Sequence, residues 1–103
     1  MIVRTWRARA AAENPGAYGR YFADKVVPAL KRLAGHRGAW LLRREIGGRT
    51  EYLAMTLWES RDSIKAFAGD DISKSHVEPE GRAVLADFDP HADHYEVVVS
   101  PSS

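Results

Sequence analysis

Thr50-Glu51-Tyr52-Leu53-Ala54-Met55-Thr56-Leu57-Trp58 is a run rich in β-forming residues, and both of its alternating sets are largely apolar. In an extended strand Leu53, Met55 and Leu57 fall on one side. Tyr52, Ala54 and Trp58 fall on the other, with Thr56 the polar member of that set. A sheet covered on one face and wet on the other alternates apolar with polar residues. This strand instead predicts a sheet whose two faces both need cover.

Working outward, residues 38–44 (GAWLLRR) read as a preceding strand, with Leu41 opposite Trp40 and Leu42. Ile46-Gly47-Gly48-Arg49 joins the two, and a Gly-Gly pair at a strand junction predicts a hairpin. Upstream, residues 2–9 form a first strand. Asn14 is then placed to cap a helix with Pro15 in its first turn. Tyr18, Phe22, Val26, Leu30 and Leu33 make one helical face; Pro28 predicts a kink and Gly35 a stop. Downstream, Ser60 caps a second helix with Ile64, Phe67 and Ala68 inward, ended by Gly69. Pro79 opens a short helix through Val84 and Leu85. Residues 95–99 (YEVVV) form the last strand, with Tyr95, Val97 and Val99 on one face. Pro101-Ser102-Ser103 reads as a frayed end.

The order β-α-β-β-α-β, closed with right-handed crossovers, predicts an α+β, ferredoxin-like fold: a four-stranded antiparallel sheet with both helices on one face. The 103 residues are read as one domain spanning 1–103. Two helices cover one sheet face, so the other is expected to bury itself against a second copy of the chain, giving a homodimer.

Composition narrows the function. The 15 basic and 14 acidic side chains leave a net charge of +1 and are interspersed, so neither nucleic acid nor an anionic membrane is the expected partner. RNA-recognition domains share this element order, but residues 51–56 (EYLAMT) lack their glycine and their basic start. With 0 cysteines there is no disulfide, thiolate metal site or cysteine nucleophile. The early charges at Arg4 and Arg7 do not suit a signal-peptide core, and no apolar run reaches the roughly 20 residues of a bilayer span; a cytoplasmic location is expected.

Several stretches resemble the antibiotic biosynthesis monooxygenase-like family of the dimeric α/β-barrel superfamily. They are residues 1–7 (MIVRTWR), 38–44 (GAWLLRR), 57–60 (LWES), 66–71 (AFAGDD) and 94–97 (HYEV), in the family's order. The resemblance implies a homodimeric barrel with an aromatic-lined pocket between helices and sheet in each protomer. It implies a monooxygenase that uses no flavin or metal cofactor. Such an enzyme deprotonates a small aromatic or polyketide-like substrate, and the anion reacts directly with dioxygen. A haem-degrading branch is the alternative, with weak matches at its working positions. Trp6 stands near that branch's strand asparagine, and Phe67 at its helix tryptophan. His76 is one position early for its haem-ligating histidine. A non-enzymatic barrel that binds a small ligand is the third reading.

Chemistry of this kind needs a base near neutral pH, which points to histidine, with an ordinary pKa of about 6.5. His76, after the second helix, is the candidate catalytic residue. His36, in the turn before the second strand, is read as a surface residue. Trp6, Trp40, Tyr52, Trp58 and Phe67 are the candidate substrate-binding set, two or three of them expected at the ligand space. Arg4, Arg43 and Arg44 are donors available to an oxyanion, read first as solvated or salt-bridged edge residues. His91 and His94 sit near Asp89 and Asp93, but an i, i+3 pair in a strand points to opposite faces, so no metal site is assigned.

Overall fold

The computed structural model describes residues 1–101. Ser102 and Ser103, in the end expected to fray, lie outside the described residues. Strand β1 (Ile2–Ala10) is followed by a helical layer, the hairpin β2 (His36–Ile46) and β3 (Arg49–Trp58), helix α3 (Arg61–Ala68), the short helix α4 (Pro79–Arg82), and strands β4 (Leu85–Phe88) and β5 (Asp93–Glu96). The helical layer is α1 (Ala17–Tyr21), a π-helical segment (Phe22–Val26) and α2 (Val27–Lys31), continuous along the chain.

The sheet is antiparallel in the order β2-β3-β1-β4, with β5 also paired to β1. It therefore has five strands where four were expected. β4 meets β1 at Ala8–Ala10 and β5 meets it at Ile2–Thr5, so the two share one edge position. Pro90 has no N–H to continue the ladder, and the intervening chain turns aside. The Pro90 carbonyl accepts from the Ser75 amide, and the Ala92 amide donates to the Ser73 carbonyl. The expected helix through Val84–Leu85 stops at Arg82 for the sheet to resume, and the last strand ends at Glu96 instead of residue 99.

The Gly47–Gly48 turn has φ of 58° and 76°, the left-handed pair that a two-residue hairpin requires. Asn14 is not the cap expected of it. Its carbonyl accepts from the Ala17 amide, its side-chain oxygen accepts from Arg20, and the helix begins at Ala17 with Gly16 before it. Pro28 does not break the helix. Its ring would crowd the carbonyl a turn earlier, and the backbone widens just before it, with the Val27 N–H bonded to the Phe22 carbonyl. At α3, Ser60 and Ser63 form a reciprocal capping box.

Helices cover one sheet face only. Register puts Ile2, Arg4, Trp6 and Ala8 of β1 on the same side as Trp58, Thr56, Ala54 and Tyr52 of β3. Tyr18, Phe22 and Leu85 pack on one end of this face, and Leu30 and Ile64 on the other. The uncovered face carries Val3, Leu53, Met55, Leu57, Trp40 and Leu42 at its centre. Toward the hairpin that face turns ionic: Glu51 lies between Arg7 and Arg44, and Asp87 between Arg9 and Arg49. Among the described residues no helix is long and apolar enough to cross a membrane.

Candidate functional site

A cavity of about 350 Å³ lies between the helical layer, α3 and the covered sheet face. Arg4, Trp6, Ala54 and Thr56 form its floor; Tyr18, Phe22, Val26 and Leu30 form the helical wall. Phe67 closes one side, and the loop residues His76, Val77 and Glu78 border it with Lys25. Small-ligand pockets span roughly 300–1,000 Å³, so this one suits a compact molecule. The widened π-helical turn contributes Phe22, Lys25 and Val26 to the wall.

His76 is held by two contacts. Its ring meets Phe67 edge-on at 4.8 Å between centroids, and its Nε2 stands 3.1 Å from a Glu78 carboxylate oxygen. When neutral and donating Nε2–H to Glu78, the imidazole keeps Nδ1 as a free base. Phe67 in turn leans on Trp58 at 6.1 Å. Trp58 is 0% exposed, with its indole N–H donating 2.8 Å to the Thr56 hydroxyl oxygen.

Arg4 was read as an edge residue, and the structure corrects this: it is 4% exposed on the covered face. The alternation of β1 puts it in line with Ile2 and Trp6, and the 72–74 loop folds over it. Its guanidinium donates to the Ile72 carbonyl, to the Lys74 carbonyl at 3.0 Å, and meets His94 Nε2 at 3.1 Å. Burial pulls Arg4 down to about 10, which still leaves it charged at neutral pH. His94 is pushed below the ordinary histidine value by burial and then by the Arg4 cation. Tyr18 lines the same cavity, and burial pushes its phenol up, so it stays a neutral hydroxyl.

Of the sequence-derived candidates, His76, Trp6 and Phe67 line this one cavity. Trp6 is anchored by its indole N–H, which donates 2.8 Å to the Asp89 carbonyl. Trp58, Tyr52 and Trp40 do not line it. Trp58 is packed beneath Phe67. Tyr52 is buried against Tyr18 with its hydroxyl bonded 2.6 Å to the Pro15 carbonyl. Trp40 is opposite Met55 on the uncovered face, 49% exposed. His36 is not a plain surface residue: it packs edge-on against Trp58 at 5.2 Å, and its buried Nε2 has no partner among the described residues. His91 pairs with Lys74 in an isolated bridge, while His94 turns to Arg4. Thr56 and Tyr18 were missed as cavity residues. The β3 pattern set Thr56 on one face with Tyr52, Ala54 and Trp58, which was the available signal.

No protein-family model matches the sequence, and no curated protein sequence does either. Solved structures do match along nearly the whole chain. SnoaB, a cofactor-independent oxygenase from Streptomyces nogalater, is 15% identical with a TM-score of 0.69, over 99% of this chain and 97% of that one. The haem-degrader MhuD from Mycobacterium tuberculosis, solved with two haems in its active site, is 23% identical with a TM-score of 0.66, over 97% and 98%. A Chloroflexus aurantiacus protein named for the antibiotic biosynthesis monooxygenases is 15% identical with a TM-score of 0.62, over 96% and 94%. The chain thus has the ferredoxin-like α+β fold of the antibiotic biosynthesis monooxygenase-like structures, as its sequence motifs led us to expect.

Proposed function

We propose that this protein is a cofactor-independent monooxygenase for a small, electron-rich aromatic or polyketide-like compound. The observation that carries the reading is the convergence of His76, Trp6 and Phe67 on a single compact cavity. His76, poised by Glu78, takes a proton from an acidic C–H of the substrate; the aromatic walls hold the resulting carbanion flat. That anion gives its electrons to dioxygen. At an anthrone-type methylene the balance is CH2 plus O2 to C=O plus water. The substrate supplies all the electrons, so no external reductant is needed. SnoaB, with the same fold, is named for this class of chemistry.

The protein is proposed to act as a homodimer through its uncovered sheet face, where Trp40, Leu42, Leu53, Met55 and Leu57 adjoin. Tyr95, the register partner of Val3, continues this apolar surface onto β5.

Haem degradation is the second reading, favoured by His76 at the cavity and by the likeness to MhuD. The residues fit it less well: His76 Nε2 already faces Glu78, and Trp6 and Phe67 hold the other positions of that branch. The deciding experiment measures oxygen uptake by the metal-free protein with an anthrone substrate. Uptake that falls at least about tenfold in His76→Ala supports the proposal. No uptake, together with a Soret shift on haem titration that His76→Ala abolishes, replaces it with the haem reading.

A further inference from the structure

We infer that the cavity floor is an anion-binding subsite, built from the Arg4 guanidinium and the Thr56 hydroxyl, and that it selects aromatic ligands already carrying a carboxylate. The inference rests on the cavity being the ligand space of the proposed oxygenase and adds the substrate's charge class.

Arg4 is 4% exposed, and among the described residues no carboxylate forms an ion pair with it. A buried cation is ordinarily paired with a carboxylate. Here its protein partners are two backbone carbonyls and a histidine. Those contacts orient the guanidinium without neutralising it, and they occupy three of its five N–H groups. Arg4 nonetheless lines the cavity. Its position is set from several sides: Phe67 lies 5.9 Å from its central carbon, and the strand beneath holds its backbone.

Thr56 is the register partner of Arg4 on β3, so the two side chains are neighbours on the same face. The Thr56 oxygen accepts from the Trp58 indole, which leaves the hydroxyl's own proton free to donate, and Thr56 is among the residues that line the cavity. A planar fork beside one hydroxyl matches the two oxygens of a carboxylate. The carboxylate lining the cavity, Glu78, is at its border and engaged with His76. A charge that develops only during reaction would leave the resting cation unpaired. A ligand that enters as an anion neutralises it on binding.

The test compares 1-naphthoate with 1-naphthamide, equal in shape and different in charge, by quenching of the cavity indole fluorescence. The naphthoate should bind at least about tenfold more tightly, as a charge-assisted pair implies. Arg4→Met should bring the two affinities to near equality, and Thr56→Val should narrow the gap about threefold. Lys25→Gln, which removes the other cavity cation, should leave the preference in place. Equal affinities in the wild type overturn the inference, and so does loss of the preference in Lys25→Gln. The wild-type comparison needs no variant, so instability of Arg4→Met does not shelter the idea. Oxygen uptake is read separately: a naphthoate preference without turnover of any aromatic substrate defeats the oxygenase proposal and leaves the subsite standing.

Discussion

Phe67 meets the His76 imidazole edge to face at 4.8 Å between centroids, and the same ring also neighbours Trp58 and Arg4. One side chain thus touches the proposed base, the buried cation and the deepest aromatic of the core. Phe67→Leu keeps an apolar residue on α3 but removes the ring contact, worth about 1 kcal/mol. The His76 ring would then lose one of its two restraints. We expect oxygen uptake to fall about tenfold in kcat with KM changed little, and urea unfolding to move by no more than about 2 kcal/mol. An unchanged kcat would show that Phe67 does not position His76.

Element types were legible where a local rule acts alone. Gly47-Gly48 named the hairpin, Ser60 the α3 cap, and the doubly apolar β3 the two-faced sheet. The broken edge was not legible, because β4 is four residues long and its pairing depends on Pro90 and on the distant Ser73–Ser75 backbone. Site residues split in the same way. Period-two alternation says which side chains share a face, so Thr56 was grouped with Tyr52, Ala54 and Trp58. It does not say which residue on that face is roofed by another. Trp58 lies under Phe67 and Tyr52 against Tyr18, while Trp6 remains open to the cavity. Arg4 misled because arginine is rarely buried without a carboxylate, and only the folded 72–74 loop supplies its carbonyl acceptors.

The helical layer ends at Lys31, short of the expected stop at Gly35, which lies at φ 86° in the turn before β2 with its carbonyl accepting the Glu59 amide at 2.8 Å. A Cβ built there falls 2.5 Å from the Ser63 Cβ, inside the capping turn of α3. Gly35→Ala therefore combines left-handed strain with a collision that no side-chain rotation relieves. Loss of about 3 kcal/mol or more is expected in urea unfolding. Gly47→Ala, at φ 58° with nothing within 4 Å, is the control and should lose only about 1 kcal/mol. Equal losses would mean that backbone strain alone matters at Gly35.

Met55 is flanked across the ladder by Thr5 on β1 and Trp40 on β2, at the middle of the uncovered face. A carboxylate placed there faces water in a monomer and an apolar partner in the proposed dimer. Met55→Glu should convert a dimer at micromolar concentration to a monomer in sedimentation equilibrium, with the helical content by circular dichroism retained. A wild-type monomer at that concentration, or a dimer that survives Met55→Glu, would place the interface elsewhere or remove it.

His36 and His94 share a sign in their response to acid. Burial is the leading cause that holds both below the ordinary histidine value; the Gly38 backbone opposes it at His36, and the Arg4 cation adds to it at His94. In the unfolded chain each takes up a proton near pH 6.5, whereas the folded state resists protonation. Their contribution to stability is therefore complete above about pH 6.5 and is lost as the pH falls through that value toward the folded pKa. The urea midpoint should drop between pH 7.5 and pH 5, by less than the limit of about 1.4 kcal/mol per unit per group, since both rings are partly exposed. Asp71 and Asp87 are held below the ordinary carboxylate range by Ser73 and by Arg49 with Arg9, so their losses come at lower pH. His36→Phe keeps an aromatic edge against Trp58 and removes both the titrating ring and its unpartnered Nε2. The variant should hold its midpoint more evenly across that window than the wild type. An identical drop in both proteins would assign the acid sensitivity to His94 or to another group.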